Sequence, residues 1–301
     1  MKRMIVQLCL LFAAMVLIAV GVSWIFSRPP AMPAVAKPLP DPNGYPLLVS
    51  AGSMAPLPNN SFRRMNQQEL RALVDSQSNA LQLVRTGLGM ECQVPVQFTE
   101  AYRSNHMRSE LVPLRRIAEI LAAEGRLAEA EQRTDDAVGS YLDLIRLGAN
   151  AARGGNVIDA MLGTGIEAMG RDSLQPLRNQ LQAKSCRDIV VTLESLDARR
   201  ESWQQVLEND PDWYHRAQAS SLRERLLRLV RSGSKTISPK DIERNFRERT
   251  AGGRQVMVDF AARAYELEQH QKPKSIADLV PAYLKAIPLD PFTGTNMVFT
   301  P

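Results

Sequence analysis

Histidine and cysteine are scarce, with three of each in 301 residues. His106, His215 and His270 stand far apart, and none falls in a His/Cys cluster with metal-ligand spacing, which argues against a zinc site of the usual kind. Aromatic residues make up only 6%. A nucleic-acid binder would carry a basic face with stacking rings. Here the formal charge of +5, which falls to +3 without Lys2 and Arg3, is spread along the chain as mixed signs. No G-x-S-x-G elbow and no P-loop occurs. Gly163-x-Gly165 with Gly170 lacks the spacing of a dinucleotide fingerprint and lies in a helical stretch, so close helix packing explains these glycines better. Asp135-Asp136, Asp212 with His215, and Glu266 with His270 read as solvated helix surface. These absences point to a non-catalytic chain, with no cofactor, metal, nucleic acid or small-molecule ligand inferred.

Charge is missing altogether from Met4 to Ser27, where Gln7 is the one clearly polar side chain. A run of this length can cross a bilayer, which takes about 20 apolar residues. A signal peptide has a shorter apolar core and a small-residue cleavage site. Trp24, Ile25 and Phe26 occupy the place of that site, so an uncleaved signal anchor is expected. Lys2 and Arg3 favour a cytoplasmic tail at residues 1–3. The main domain would then be periplasmic or extracytoplasmic. In such a compartment Cys92 and Cys186 could form one disulfide; the alternative is two separately buried thiols.

Behind the anchor, residues 28–60 are proline-rich, with Pro38, Pro40, Pro42, Pro46, Pro56 and Pro58, and read as an extended spacer. Residues 61–301 read as one helical domain. Leu70, Val74, Leu81, Val84 and Leu88 form an apolar stripe interrupted by Gln77. Leu114, Ile117, Ala118 and Leu121 stripe one helix. Gly125 suits its C-terminal cap, and Leu127 to Ile145 form a second helix. This is a tetratricopeptide-like αα-hairpin without a second copy. Further helices are expected at 156–181 and 185–209, after Pro211, and from Ser238-Pro239 to about Gln269, the last weakened at Gly252-Gly253. Arg223, Arg225, Arg228 and Arg231 oppose Leu222, Leu226, Leu229 and Val230 on one amphipathic helix, more simply a surface helix than a lipid-binding one. The expected fold class is all-α: an N-terminal transmembrane helix, a linker and an irregular multi-helix bundle ending in a short extended segment.

The most specific string is the C-terminal box at 265–301. It contains Pro273, Ser275, Leu279, Pro281, Tyr283, Leu284, Pro288, Asp290, Pro291, Phe292 and Gly294. Ser275 with Asp278 makes a capping-box pattern, and Pro288 and Pro291 enforce extended chain. The apolar members, Phe292 included, should cover the helical domain as a structural clamp. The box, with Cys92-Gln93-Val94-Pro95 and the hairpin, resembles a group of uncharacterised single-anchor helical envelope proteins of planctomycete-like bacteria. The box alone is similar to type II secretion pseudopilins. The prepilin-peptidase site of that family is absent, because Met4-Ile5-Val6-Gln7-Leu8 carries no acidic residue. The resemblances imply a membrane-anchored helical interaction or scaffold protein of the bacterial envelope, held by the bilayer and by an envelope protein partner. The alternatives are a pseudopilin-like secretion or pilus component, or an envelope enzyme without a recognisable motif.

Overall fold

The computed structural model describes residues 38–55, 62–97, 102, 105–210 and 238–298, with Met15 alone before them. The expected span at 4–27, and the arginine-leucine helix after Pro211, lie outside the described residues. Among the described residues no helix is long and apolar enough to cross a membrane. They form nine α-helices and no strand: α1 Tyr45–Met54, α2 Gln67–Ser76, α3 Ser78–Leu88, α4 Val112–Ala130, α5 Thr134–Ala152, α6 Val157–Leu174, α7 Ala183–Ala198, α8 Trp203–Glu208 and α9 Pro239–Gln269.

The αα-hairpin of α4 and α5 is present, but Gly125 does not cap it. The turn falls at 131–133, where Gln132 takes a left-handed φ of 58°. Gly125 lies inside α4, and a Cβ there would stand 2.3 Å from the Tyr141 ring. Its job is to seat a fully buried tyrosine, whose hydroxyl donates to Glu129. α6 then packs back along α5 through small residues. A Cβ on Gly163 would meet Gly148 O at 2.4 Å, and one on Gly170 would meet Ile145 Cγ1 at 2.6 Å. The packing explanation for Gly163 and Gly170 thus holds, whereas Gly165 has only Arg249 Nη1 nearby, at 3.6 Å.

The spacer expectation is corrected at residues 45–54. Tyr45-Pro46-Leu47-Leu48-Val49 opens α1, with proline in the first turn, where its missing N–H costs nothing. Tyr45, Leu48 and Ala51 are buried among residues of α3 and α4. The segment before it is tied down by Asn43, which donates to Gln93 O at 2.8 Å and accepts from Gln93 N at 3.1 Å. The prolines flanking this apolar run masked a helix that the core requires. The apolar stripe from Leu70 to Leu88 falls on two helices. Asn66 opens α2 through a capping box with Glu69, and the chain breaks at buried Gln77 before α3.

Two apolar clusters share α5. One gathers Tyr45, Leu48, Leu114, Ile117, Leu121, Leu144 and Leu147; the other gathers Tyr141, Ile145, Leu174, Ile189, Phe260, Leu279 and Leu284. Cys92 belongs to the first and Cys186 to the second, and both are free. Of the two alternatives, the structure has the separately buried thiols: each is a small core residue, and burial pushes both up to about 11.

Ser238 caps α9 as expected, accepting from Lys240 N at 3.3 Å. The helix runs unbroken through Gly252-Gly253. Those glycines make room for a side chain, since a Cβ on Gly253 would lie 2.9 Å from Arg171 Nη1.

The box is a clamp in its first half only. Ser275 and Asp278 make the capping box, and Pro273, Ile276, Leu279, Tyr283 and Leu284 are buried, with Pro281 exposed. Tyr283 Oη donates to Glu268 at 2.9 Å, under Arg187, whose guanidinium sits 4.7 Å from the ring centroid. Lys285 N donates to Glu194 on α7 at 2.7 Å, so the segment ties α7 to α9. The second half corrects the clamp expectation: Phe292 is 46% exposed and Leu289 49%. Asp290 Oδ1 accepts from Phe292 N and Thr293 N, at 2.7 and 3.1 Å, and Gly294 turns the chain at φ 71°. This loop closes on itself, held to α9 by Arg247 on Pro291 O and Arg254 on Leu289 O. Phe292 is left with no surface to cover, although Pro288 and Pro291 are half-buried.

Candidate functional site

Helix α6 carries the unusual chemistry of the molecule. Three of its ionisable residues are almost fully buried: Asp159 at 0%, Glu167 at 2% and Arg171 at 6% exposure. An isolated buried charge costs several kcal/mol, so each must be answered by a partner.

Asp159 sits in the first turn, where Asn156 caps the helix. Asp159 Oδ2 accepts from Asn156 N at 2.9 Å, while Asn156 Oδ1 accepts from Asp159 N at 3.2 Å. Its other oxygen, Oδ1, lies 2.7 Å from His106 Nε2. On the far side of the ring, Nδ1 is 3.3 Å from Glu110 Oε2, an ion-pair distance with an angle too poor for a hydrogen bond. Tyr45 Oη donates to the same Glu110 oxygen at 3.0 Å, and the Tyr102 ring stacks 4.6 Å from the imidazole. Burial works against a charged imidazole. The hydrogen bond to Asp159 and the negative charges of Asp159 and Glu110 outweigh it and push His106 up to about 9. Burial and the same two carboxylates raise both tyrosines well above the usual phenol range. The cluster is a protonated histidine between two carboxylates, joining α1, the turn Met107–Leu111 and α6. A histidine held protonated at neutral pH is a poor general base.

Two turns further on, Arg200 grips Glu167 with both guanidinium ends, Nη1–Oε1 at 3.0 Å and Nη2–Oε2 at 2.6 Å. Arg200 also reaches Asp197, which in turn accepts from Arg254 Nε at 2.9 Å. A space of about 40 Å³ opens beside this pair, between Thr164, Glu167, Leu196 and Phe246. That is room for water rather than a metabolite.

Arg171 is different. Among the described residues its one hydrogen bond goes from Nη1 to Arg249 O on α9 at 2.6 Å. The nearby Glu167 carboxylate is already committed to Arg200. Burial, only partly offset by Glu167, lowers the Arg171 pKa. Arg249 likewise donates to a carbonyl, Thr164 O, at 3.2 Å. Neither arginine has a carboxylate within 4.0 Å among the described residues, whose charge pairs involve other side chains.

Both arginines line an open groove of about 680 Å³ along the outer face of α6, between α4 and α9. Met161, Leu162, Gly165, Ala168 and Met169 form its floor, and Arg115, Asp172 and Glu248 stand at its edges. Ile158 and Met161 are 46% and 41% exposed on that face. Glu248 is taken up by Arg244, at 3.5 Å. The groove therefore combines an apolar floor with a buried Arg171 and an exposed Arg249, neither within 4.0 Å of a carboxylate among the described residues.

The residues singled out from sequence do not meet at this place. Cys92 and Cys186 lie in separate cores, and Pro273 to Gly294 lie on α7 and α9. His106, Asp159 and Glu110 were missed because 53 residues separate the first two, and no motif links a lone histidine to a helix-capping aspartate. The Asn156-x-x-Asp159 pattern announces a cap but gives no hint of the histidine. Comparison of the chain with protein families, curated proteins and solved structures finds no match.

Proposed function

We propose that this protein is a non-catalytic helical interaction module, anchored in the envelope membrane through residues 4–27, with its helical domain outside the cytoplasm. The observation that carries the reading is the α6 groove: an apolar floor with the exposed Met161 and the half-buried Met169, flanked by Arg249, which has no carboxylate within 4.0 Å among the described residues. Methionine floors adapt to different partner shapes. The exposed Arg249 guanidinium, with no carboxylate within 4.0 Å among the described residues, selects a ligand that brings a carboxylate. The occupant that fits is an amphipathic helix of another envelope protein, with apolar residues on one face and Asp or Glu beside them. The ionisable groups best placed for chemistry, His106, Asp159 and Glu167, are each committed to internal partners, which agrees with a structural role.

A photo-crosslinking residue at position 161 of the full-length chain tests the docking face, with position 191, exposed on α7, as the control. A single discrete adduct from 161 and none from 191 supports the reading. Equal or absent crosslinking from both positions contradicts it. Alkaline carbonate washing tests the anchor separately, and full-length protein should stay with the membranes.

A further inference from the structure

A second recess lies between α5 and α7, beside the end of α3 at Leu88. It is independent of the α6 groove and of the interaction reading. Its walls are two polar stripes at helical spacing: Arg146, Asn150 and Arg153 from α5 and its end, and Thr192, Ser195 and Arg199 from α7 and its end. Leu88, Met90, Cys92 and Leu196 contribute the apolar lining, and the cleft encloses about 270 Å³. Three guanidinium groups converge on it, and no Asp or Glu is among the lining residues.

The charges are only partly answered from outside. Arg146 reaches Asp143 at 3.0 Å, and Arg153 reaches Glu91 at 3.7 Å, which is long for an ion pair. Arg199 has no carboxylate within 4.0 Å among the described residues. Among the described residues its one hydrogen bond runs from Nε to Ser195 O at 3.2 Å, and neither terminal nitrogen has a partner there. Arg153 and Arg199 end their helices, where the dipole alone favours a cation. That effect accounts for neither Arg146, two turns inward, nor the convergence of all three on one cleft with hydroxyl and amide donors between them.

We propose that this cleft binds a compact polyanion of the phosphate class, a phosphomonoester or diphosphate group held by Arg146, Arg153 and Arg199, with Ser195 and Asn150 donating to the remaining oxygens, while Thr192 keeps its hydroxyl on Asp188 O at 3.0 Å. Guanidinium forks match phosphate oxygens in pairs, and the volume suits one or two phosphate groups. The apolar lining leaves room for a short non-polar stem. The phosphate can come from a soluble ester or from an anionic lipid headgroup.

The test is calorimetric titration of the full chain in mild detergent, with inorganic pyrophosphate in one arm and mixed micelles of phosphatidic acid, against phosphatidylcholine, in the other. The variant is Arg199→Gln, whose side chain bonds only within its own helix. Arg153→Gln is the second variant, and thermal melting is the control for both. Saturable binding in either arm, weakened about tenfold or more in Arg199→Gln at unchanged melting temperature, supports the site, as expected for loss of one charge-assisted contact. The arm that binds identifies the source of the phosphate. Affinity in the binding arm should fall as salt rises. Absence of binding in both arms, or affinity equal in wild type and both variants, overturns the proposal.

Discussion

His106 Nε2 stands 2.7 Å from Asp159 Oδ1, and the aspartate is fully buried. This contact joins the turn before α4 to the first turn of α6, and its energetics depend on the imidazole being protonated. The folded-state pKa is raised to about 9, above the ordinary histidine value of 6.5. The contribution is therefore complete below about pH 6.5 and is lost as pH rises through 9. Unfolding free energy measured by urea titration should fall steadily across that window. His106→Gln should be less stable at pH 6.5 and show a flatter profile up to 9. The two thiols, held at about 11 when folded, add their own loss only at higher pH. A flat wild-type profile between 6.5 and 9 would show that the histidine is not paired as described.

Breaking the pair from the other side should cost more. Asp159→Asn leaves an imidazolium buried beside Glu110 alone and also weakens the cap of α6. Loss of one member of a buried pair costs about 3–5 kcal/mol. Denaturant unfolding should register a loss of that order, and a change under 1 kcal/mol would contradict the geometry.

The glycines of α6 separate close packing from open surface. Gly163→Ala drives a methyl into the α5 backbone at Gly148 and should destabilise by about 1–3 kcal/mol. Gly165→Ala, with only the mobile end of Arg249 near it, should be neutral or gain up to about 1 kcal/mol from helix propensity. Melting of the two variants side by side checks the contrast.

The C-terminal box should divide in the same way. Leu279→Ala removes a fully buried side chain and should cost about 2–5 kcal/mol. Phe292→Ala, at a half-exposed site in a self-closed loop, should change stability by about 0.5 kcal/mol or less. Equal effects in thermal unfolding would return Phe292 to the clamp.

Cys92 and Cys186 should both be alkylated in protein unfolded without reductant, and peptide mapping should find no link between them. Alkylation of the folded protein at pH 7 should be slow at both, since burial keeps each as a thiol.

Local signals carried much of the architecture. The apolar stripes of α4, α5 and α7, the Ser238 cap and the Ser275–Asp278 capping box follow from three- and four-residue spacing. They required no knowledge of what lay opposite. Errors arose where the partner was distant. Gly125 reads as a terminator until Tyr141, sixteen positions later, is seen to fill the space above it. Residues 45–54 read as spacer because their prolines are local, while the α3–α4 surface that buries Tyr45 and Leu48 is not. Phe292 was assigned to a core that its own Asp290 turn keeps it from reaching. The charged cluster of α6 was invisible for the same reason: Asp159, Glu167 and Arg171 look like an ordinary amphipathic helix until His106, Arg200 and the α9 backbone are brought to them.

Docking of another envelope protein on the outer face of α6 is tested most directly by the assembly state of the full-length protein in mild-detergent extracts of its native membranes. Sedimentation of wild type should show the chain in a complex larger than the free protein in its micelle. Met161→Lys, at a position 41% exposed and outside the core, should sediment as the free chain while melting at the wild-type temperature. Identical sedimentation of wild type and variant, with both folded, would contradict a docking role for this face.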